Sequence, residues 1–175
     1  MIMSIWYTIL FVEIIVIAFM IWMVWSAAVG APWLPTPKSK VRKMLKFANV
    51  QEGDLVYDLG SGDGRIIIMA AKEFGAHSVG IEADPIRQRW SKLMIRRHGL
   101  NEQVSVLRGN FFNFNIGDAT VVTLYLGVGA NNKLRDKLAK ELKPGTRIIS
   151  HHFILKDWKI AEENKEEDLY KYIIH

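Results

Sequence analysis

Three glycines at alternating positions, Gly60, Gly62 and Gly64, close the run Val56-Tyr57-Asp58-Leu59-Gly60-Ser61-Gly62-Asp63-Gly64-Arg65. An apolar strand that turns into a helix through glycines lets the backbone approach a ligand closely, because no Cβ stands in the way. The neighbouring residues narrow the choice of ligand. A dinucleotide fingerprint counted from Gly60 needs glycine where Arg65 stands, and counting from Gly62 fails as well. Asp58, just before the turn, would repel a pyrophosphate and attract an ammonium. Glu82, in Gly80-Ile81-Glu82-Ala83-Asp84-Pro85, stands where a strand-end carboxylate accepts hydrogen bonds from a ribose diol. Asp84, before Pro85, suits the cap of the next helix. Asn110 and Phe111 can offer an amide to the edge of an adenine and a ring to its face. Taken singly, the glycines are also an ordinary turn, Asp63 a helix cap and Asn110 a turn former. Taken together, with Ser61 inside the turn, they describe a site for a ligand with an ammonium, a ribose and an adenine but no phosphate. S-adenosylmethionine has these features.

The elements that must carry these residues follow from periodicity. From Leu55 onward, strands are expected near 55–59, 78–82, 103–107, 119–125 and 145–151, with helices of roughly 64–74, 85–98 and 131–142 between most of them. That alternation predicts an α/β fold with a mostly parallel, Rossmann-like sheet. Phe111–Ile116 reads as a loop or single turn, and Lys143-Pro144-Gly145 as a helix stop. Phe153–Ala161 and Leu169–Ile174 are expected to form an antiparallel hairpin at the sheet edge, joined by the acidic stretch Glu162–Asp168. Upstream, Ala31–Pro37 is a proline-punctuated connector. Thr36 can cap a helix with Pro37 in its first position, along which Val41, Met44, Leu45 and Ala48 form an apolar stripe.

The N-terminal end reads differently. From Ile5 to Trp25 every residue except Thr8 and Glu13 is apolar or aromatic, and such a helix would be roughly 31 Å long, matching a bilayer's hydrocarbon. Trp6, Tyr7, Trp22, Trp25 and Trp33 suit the two interfaces. The expectation is a single-pass transmembrane anchor over 1–30, then a proline-rich connector and basic helix over 31–50, then the Rossmann-like domain over 51–175. A cleaved leader, for which Ser26–Ala31 offers small residues, is disfavoured by the length of the run, the lack of a basic segment before it, and Pro32. Lys38, Lys40, Arg42, Lys43 and Lys46 follow the span and no basic residue precedes it. The domain is therefore expected on the cytoplasmic side of the cell membrane. These cations, part of a net charge of +5, either meet anionic headgroups or form a solvated helix face.

Over roughly residues 50–175 the chain resembles the class I S-adenosylmethionine-dependent methyltransferases. Pro32–Pro37, Asp58–Arg65 and Glu141–Ser150 also resemble a narrower group of protein-lysine methyltransferases. That group includes membrane-anchored mitochondrial enzymes acting on the nucleotide translocase and the ATP synthase c subunit, and archaeal enzymes of broad specificity. The resemblance implies S-adenosylmethionine as cofactor, a protein substrate in or near a membrane, and a connector that forms part of a lid, with Thr36 as a cofactor contact.

Methyl transfer from a sulfonium is an in-line displacement that needs neither metal nor covalent intermediate. A lysine acceptor must be neutral when it attacks, which an apolar channel favours. Tyr125, after the fourth strand, can line that channel or be a half-buried strand-end residue. His151 and His152 end the fifth strand, and either can remove a proton near neutral pH; adjacent strand residues face opposite ways, so at most one points at the site. The chain lacks cysteine, which excludes the nucleophile of cytosine C5 chemistry. It also lacks the Asp/Asn-Pro-Pro-aromatic tetrapeptide of amino-methylating DNA and glutamine enzymes. Arg87, Arg89, Lys92, Arg96 and Arg97 either meet phosphates of RNA or lipid or are solvated. Besides protein lysine, a lipid, quinone or other small-molecule acceptor and a non-catalytic cofactor-binding role stay open.

Overall fold

In the computed structural model the backbone is described for residues 2–29 and 35–175, and the side chains for 5–21 and 35–175. The chain divides into two compact units, Met1–Trp33 and Leu34–His175. The first holds α1 (Ile2–Val29). All its described side chains, 5–21, are exposed, and all but Thr8 and Glu13 of that stretch are apolar or aromatic. Among the described residues no helix is long and apolar enough to cross a membrane. The span expected over Ile5–Trp25 runs past the described side chains, as do Trp22, Trp25, Trp33 and the small residues Ser26–Ala31.

The second unit is a seven-stranded sheet with helices on both faces. It comprises α2 (Lys38–Phe47), β1 (Leu55–Leu59), α3 (Arg65–Phe74), β2 (His77–Glu82), α4 (Pro85–Arg97), β3 (Val104–Arg108), β4 (Val121–Leu124), α5 (Val128–Glu141), β5 (Arg147–His151), β6 (Glu162–Asn164) and β7 (Leu169–Ile173). The strand order is β3-β2-β1-β4-β5-β7-β6. β1 to β5 run parallel and β7 joins β5 antiparallel. Side chains alternate across the sheet. Val56, Val121 and Ile149 face one way, beneath Val41, Met44 and Leu45 of α2 and Met69 and Ala70 of α3. Tyr57, Val122 and Ile148 face the other, beneath Leu134 and Leu138 of α5. The apolar stripe of α2 therefore belongs to the core of the second unit, and its helix is not a separate connector element.

Three expectations are corrected. Thr36 does not cap α2: Pro37 holds the N-cap position, with no side-chain hydrogen bond there. α5 begins at Val128, because Gly127 is extended and its carbonyl accepts from Ala130 and Asn131. The hairpin's first arm is the short β6, within the acidic stretch, and not Phe153–Ala161. His152 and Asp157 take left-handed conformations (φ 69° and 64°), which break an extended run there. That irregular segment covers the sheet through Leu155, whose N–H donates to the hydroxyl of fully buried Tyr172 at 3.0 Å, and through Trp158, 6.1 Å from the same ring.

Candidate active site

β1 and β4 are paired so that Asp58 lies opposite Thr123. The Thr123 hydroxyl donates to Asp58 Oδ1 at 2.8 Å, and the carboxyl is 3% exposed. Burial pushes its pKa up to about 7; the Thr123 hydrogen bond opposes this, while the charges of Glu82 and Asp63 add to it. Glu82 ends β2 with both oxygens engaged: Oε2 accepts from Gly62 N–H at 2.7 Å and Oε1 from Asp84 N–H at 2.8 Å. Each carboxylate oxygen has two lone pairs, so capacity remains for a ribose diol. Arg87 Nε lies 3.8 Å from Glu82 Oε1.

The glycine turn is held from beneath. Gly60 and Ser61 N–H both donate to the Ile81 carbonyl, and Gly64 N–H donates to the Ser61 carbonyl. Gly64 begins α3 at φ 81°, where an added Cβ would meet Ser91 Oγ at 2.1 Å. The Ser61 side chain turns under the loop toward β2, so close that a Cβ on Gly80 would lie 2.5 Å from its Oγ. Ser61 thus packs the turn, and its hydroxyl is not presented to the open side as a cofactor ligand would be. Arg65 clamps the rim: it forms a forked pair with Asp63 and donates from Nη1 to the Thr36 carbonyl at 2.6 Å. The connector is tied to the glycine turn through the backbone of Thr36, whose side chain is buried.

Beyond β3, Asn110 Oδ1 accepts from Phe112 N–H at 3.1 Å and caps a single 3-10 turn, Phe111–Asn113. The Phe111 ring is buried in the core with Leu59 and Ile81. It does not offer an open face to an adenine, contrary to expectation; half-buried Phe112, 4.8 Å from it, is the more accessible ring. The donor set fits S-adenosylmethionine: carboxyls at Asp58, Asp63 and Glu82 converge on one glycine turn, which suits a ligand bearing positive charge.

At the carboxyl ends of β4 and β5, Tyr125 and His151 pack with ring centroids 4.4 Å apart and ring planes tilted by 36°. His151 Nδ1 is buried with no hydrogen-bond partner among the described residues. Burial lowers its pKa, the Lys40 ammonium lowers it further, and Asp168 and Glu167 oppose the shift. His152 turns away, exposed, and pairs with Asp168. Of the two histidines only His151 joins Tyr125. Among the described residues no group of His, Asp or Glu could hold a metal ion. Thr123, Arg65 and Lys40 escaped the sequence reading. A threonine inside the apolar run Val121–Leu124 was the one available signal.

A model of the ANTKMT methyltransferase domain matches residues 58–162. The chain belongs to that family. A protein-lysine N-methyltransferase of Saccharolobus islandicus is 45% identical over 82% of this chain and 93% of its own length. The adenine nucleotide translocase lysine N-methyltransferase of Mus musculus is 31% identical over 73% of this chain, which spans 56% of that longer relative. An RNA methyltransferase from Salinibacter ruber, solved with S-adenosyl-L-homocysteine, is 43% identical, with a TM-score of 0.78 over 81% of this chain and 94% of its own. This ANTKMT-family enzyme is a class I methyltransferase and S-adenosylmethionine is its cofactor. Asp58 would hold the ammonium, Glu82 the ribose, and the Gly60–Gly64 backbone the space between. The cofactor, when bound, supplies an electrophilic methyl group on a sulfonium.

Proposed function

We propose that this enzyme methylates lysine side chains of proteins in or beside a membrane. The observation that carries this reading is the half-buried His151 imidazole, its Nδ1 buried without a hydrogen-bond partner among the described residues, packed against Tyr125 at the same carboxyl end of the parallel strands as Asp58. An attacking amine must shed its proton; an imidazole below its usual pKa is present as the base at neutral pH, and the Tyr125 ring gives the amine an apolar wall. The relatives from Saccharolobus islandicus and Mus musculus support lysine as the acceptor.

The membrane part of the proposal rests on α1. The apolar run Ile5–Trp25 of the sequence, which extends past the residues whose side chains are described, supports an anchor passing once through the cell membrane, with the cations after it keeping the catalytic unit on the cytoplasmic side. RNA is a second reading, favoured by the Salinibacter ruber relative.

The test is transfer of tritiated methyl groups from S-adenosylmethionine into membranes of the source cells, separated into protein, RNA and lipid, with Gly62→Arg as the inactive control. Label recovered as methyl-lysine after protein hydrolysis is expected. Label confined to RNA or lipid would overturn the reading.

A further inference from the structure

α4 turns Gln88, Ser91 and Ile95 inward. Its outer face carries Ile86, Trp90 and Leu93, which are 58%, 50% and 41% exposed. They recur at i, i+4 and i+7, so they form one ridge along the helix. Single exposed apolar residues are ordinary, whereas a continuous ridge including a tryptophan marks a contact surface. Arg89, Arg96 and Arg97 are exposed on or beside this ridge, and Lys92 lies farther round. None of the 13 residues of α4 is acidic. The nearest carboxylate, Asp84, is 1% exposed and caps the helix by accepting from Ile86 and Arg87 N–H.

We propose that this face of α4 docks on the anionic surface of a lipid bilayer. Cations at the flank reach headgroup phosphates while the indole and the two aliphatic side chains enter the boundary between headgroups and acyl chains. A nucleic acid would use the arginines and the indole but has no place for Ile86 and Leu93. That difference decides for lipid. α4 starts three residues after Glu82, so docking would hold the cofactor end of the sheet close to the bilayer surface, whether or not α1 passes through it.

The absence of cysteine makes the test direct. Leu93→Cys carries a single nitroxide in the full-length protein, and Asn101→Cys, at an exposed position beyond the helix, gives the aqueous reference. Both are incorporated into nanodiscs of phosphatidylcholine with or without phosphatidylglycerol. The label at position 93 is expected to gain oxygen accessibility and lose accessibility to an aqueous nickel chelate on anionic discs, relative to neutral ones. Arg89→Glu or Arg96→Glu should lower the docked-to-undocked ratio at least fivefold each, since one lost cation near such a surface is worth roughly that factor. A label at 93 that stays as aqueous as the one at 101 on both discs would overturn the proposal. So would equal immobilisation in neutral discs and in detergent, which would mean that protein covers the ridge, or immobilisation by added RNA but not by anionic discs. Co-elution with the neutral discs, on which the α4 face is not expected to dock, reports on α1 separately, so anchor and docking face fail independently.

Discussion

A carboxyl group buried on a central strand without a neighbouring cation is a cost to the empty protein, and Asp58 bears it. Because its pKa is raised in the folded state to about 7, the stability linked to it is fully present below the ordinary carboxylate range, about 4, and is lost as pH rises through about 7. Asp58→Asn should therefore raise the melting temperature of the cofactor-free protein at pH 8 and change it little near pH 4. The same substitution should weaken S-adenosylmethionine binding roughly 10- to 100-fold by calorimetry, the worth of a charged hydrogen bond. In the wild type, cofactor affinity should rise between pH 6 and 8 as Asp58 ionises; in Asp58→Asn that pH dependence should vanish. On the acceptor side, His151→Gln should lower kcat by about 100-fold or more, the usual scale of a lost general base. Its cofactor affinity should match wild type, and an unchanged kcat would remove His151 from the reaction. His152, paired with Asp168 outside the stack, should tolerate the same change.

Between elements, the close approach of β2 to the glycine turn gives a sharp test. Gly80→Ala would press a methyl group against Ser61, and overpacking of this kind costs about 1–3 kcal/mol. Urea denaturation should register that loss, and Ser61→Gly in the same chain should restore most of it. Met44→Ala, at a fully buried position of α2, should cost about 2–5 kcal/mol. The five parallel strands are legible in the sequence because each is a short apolar run bounded by turn residues. Asp58, the glycines and Glu82 are legible because they stand at the carboxyl ends of strands or in the turn that follows. What was not legible depends on pairing across long stretches of chain. The β7 arm was expected over Leu169–Ile174, but its partner β6 is placed by its register on β7, and Phe111 packs into the core with Leu59 and Ile81. The cations of α2 look alike in sequence. Lys40 and Lys43 in fact pair with Glu167, and Arg42 with Glu73, so those three are already engaged within the catalytic unit.

For the molecule as a whole, the division at Trp33 and Leu34 carries its own prediction. Among the described residues the three apolar core clusters lie within the second unit, so a fragment of residues 34–175 should melt cooperatively and bind S-adenosylmethionine with the affinity of the full chain. A fragment that failed to bind would show that the first unit completes the site. Methyl transfer to an acceptor in intact membranes should fall in that fragment far more than transfer to a soluble peptide.

The antiparallel seat of β7 beside β5 also bears on how the enzyme is born. Leu169 and Tyr172 fill core positions that nothing earlier in the chain occupies, so the sheet stays unfinished until they have been synthesised. At about 5–20 residues per second, α1 precedes them out of the ribosome by on the order of ten seconds or more. For that interval the nascent chain presents a finished apolar helix attached to an unfinished enzyme. Whatever surface α1 meets in that interval, it meets before there is a methyltransferase for it to carry.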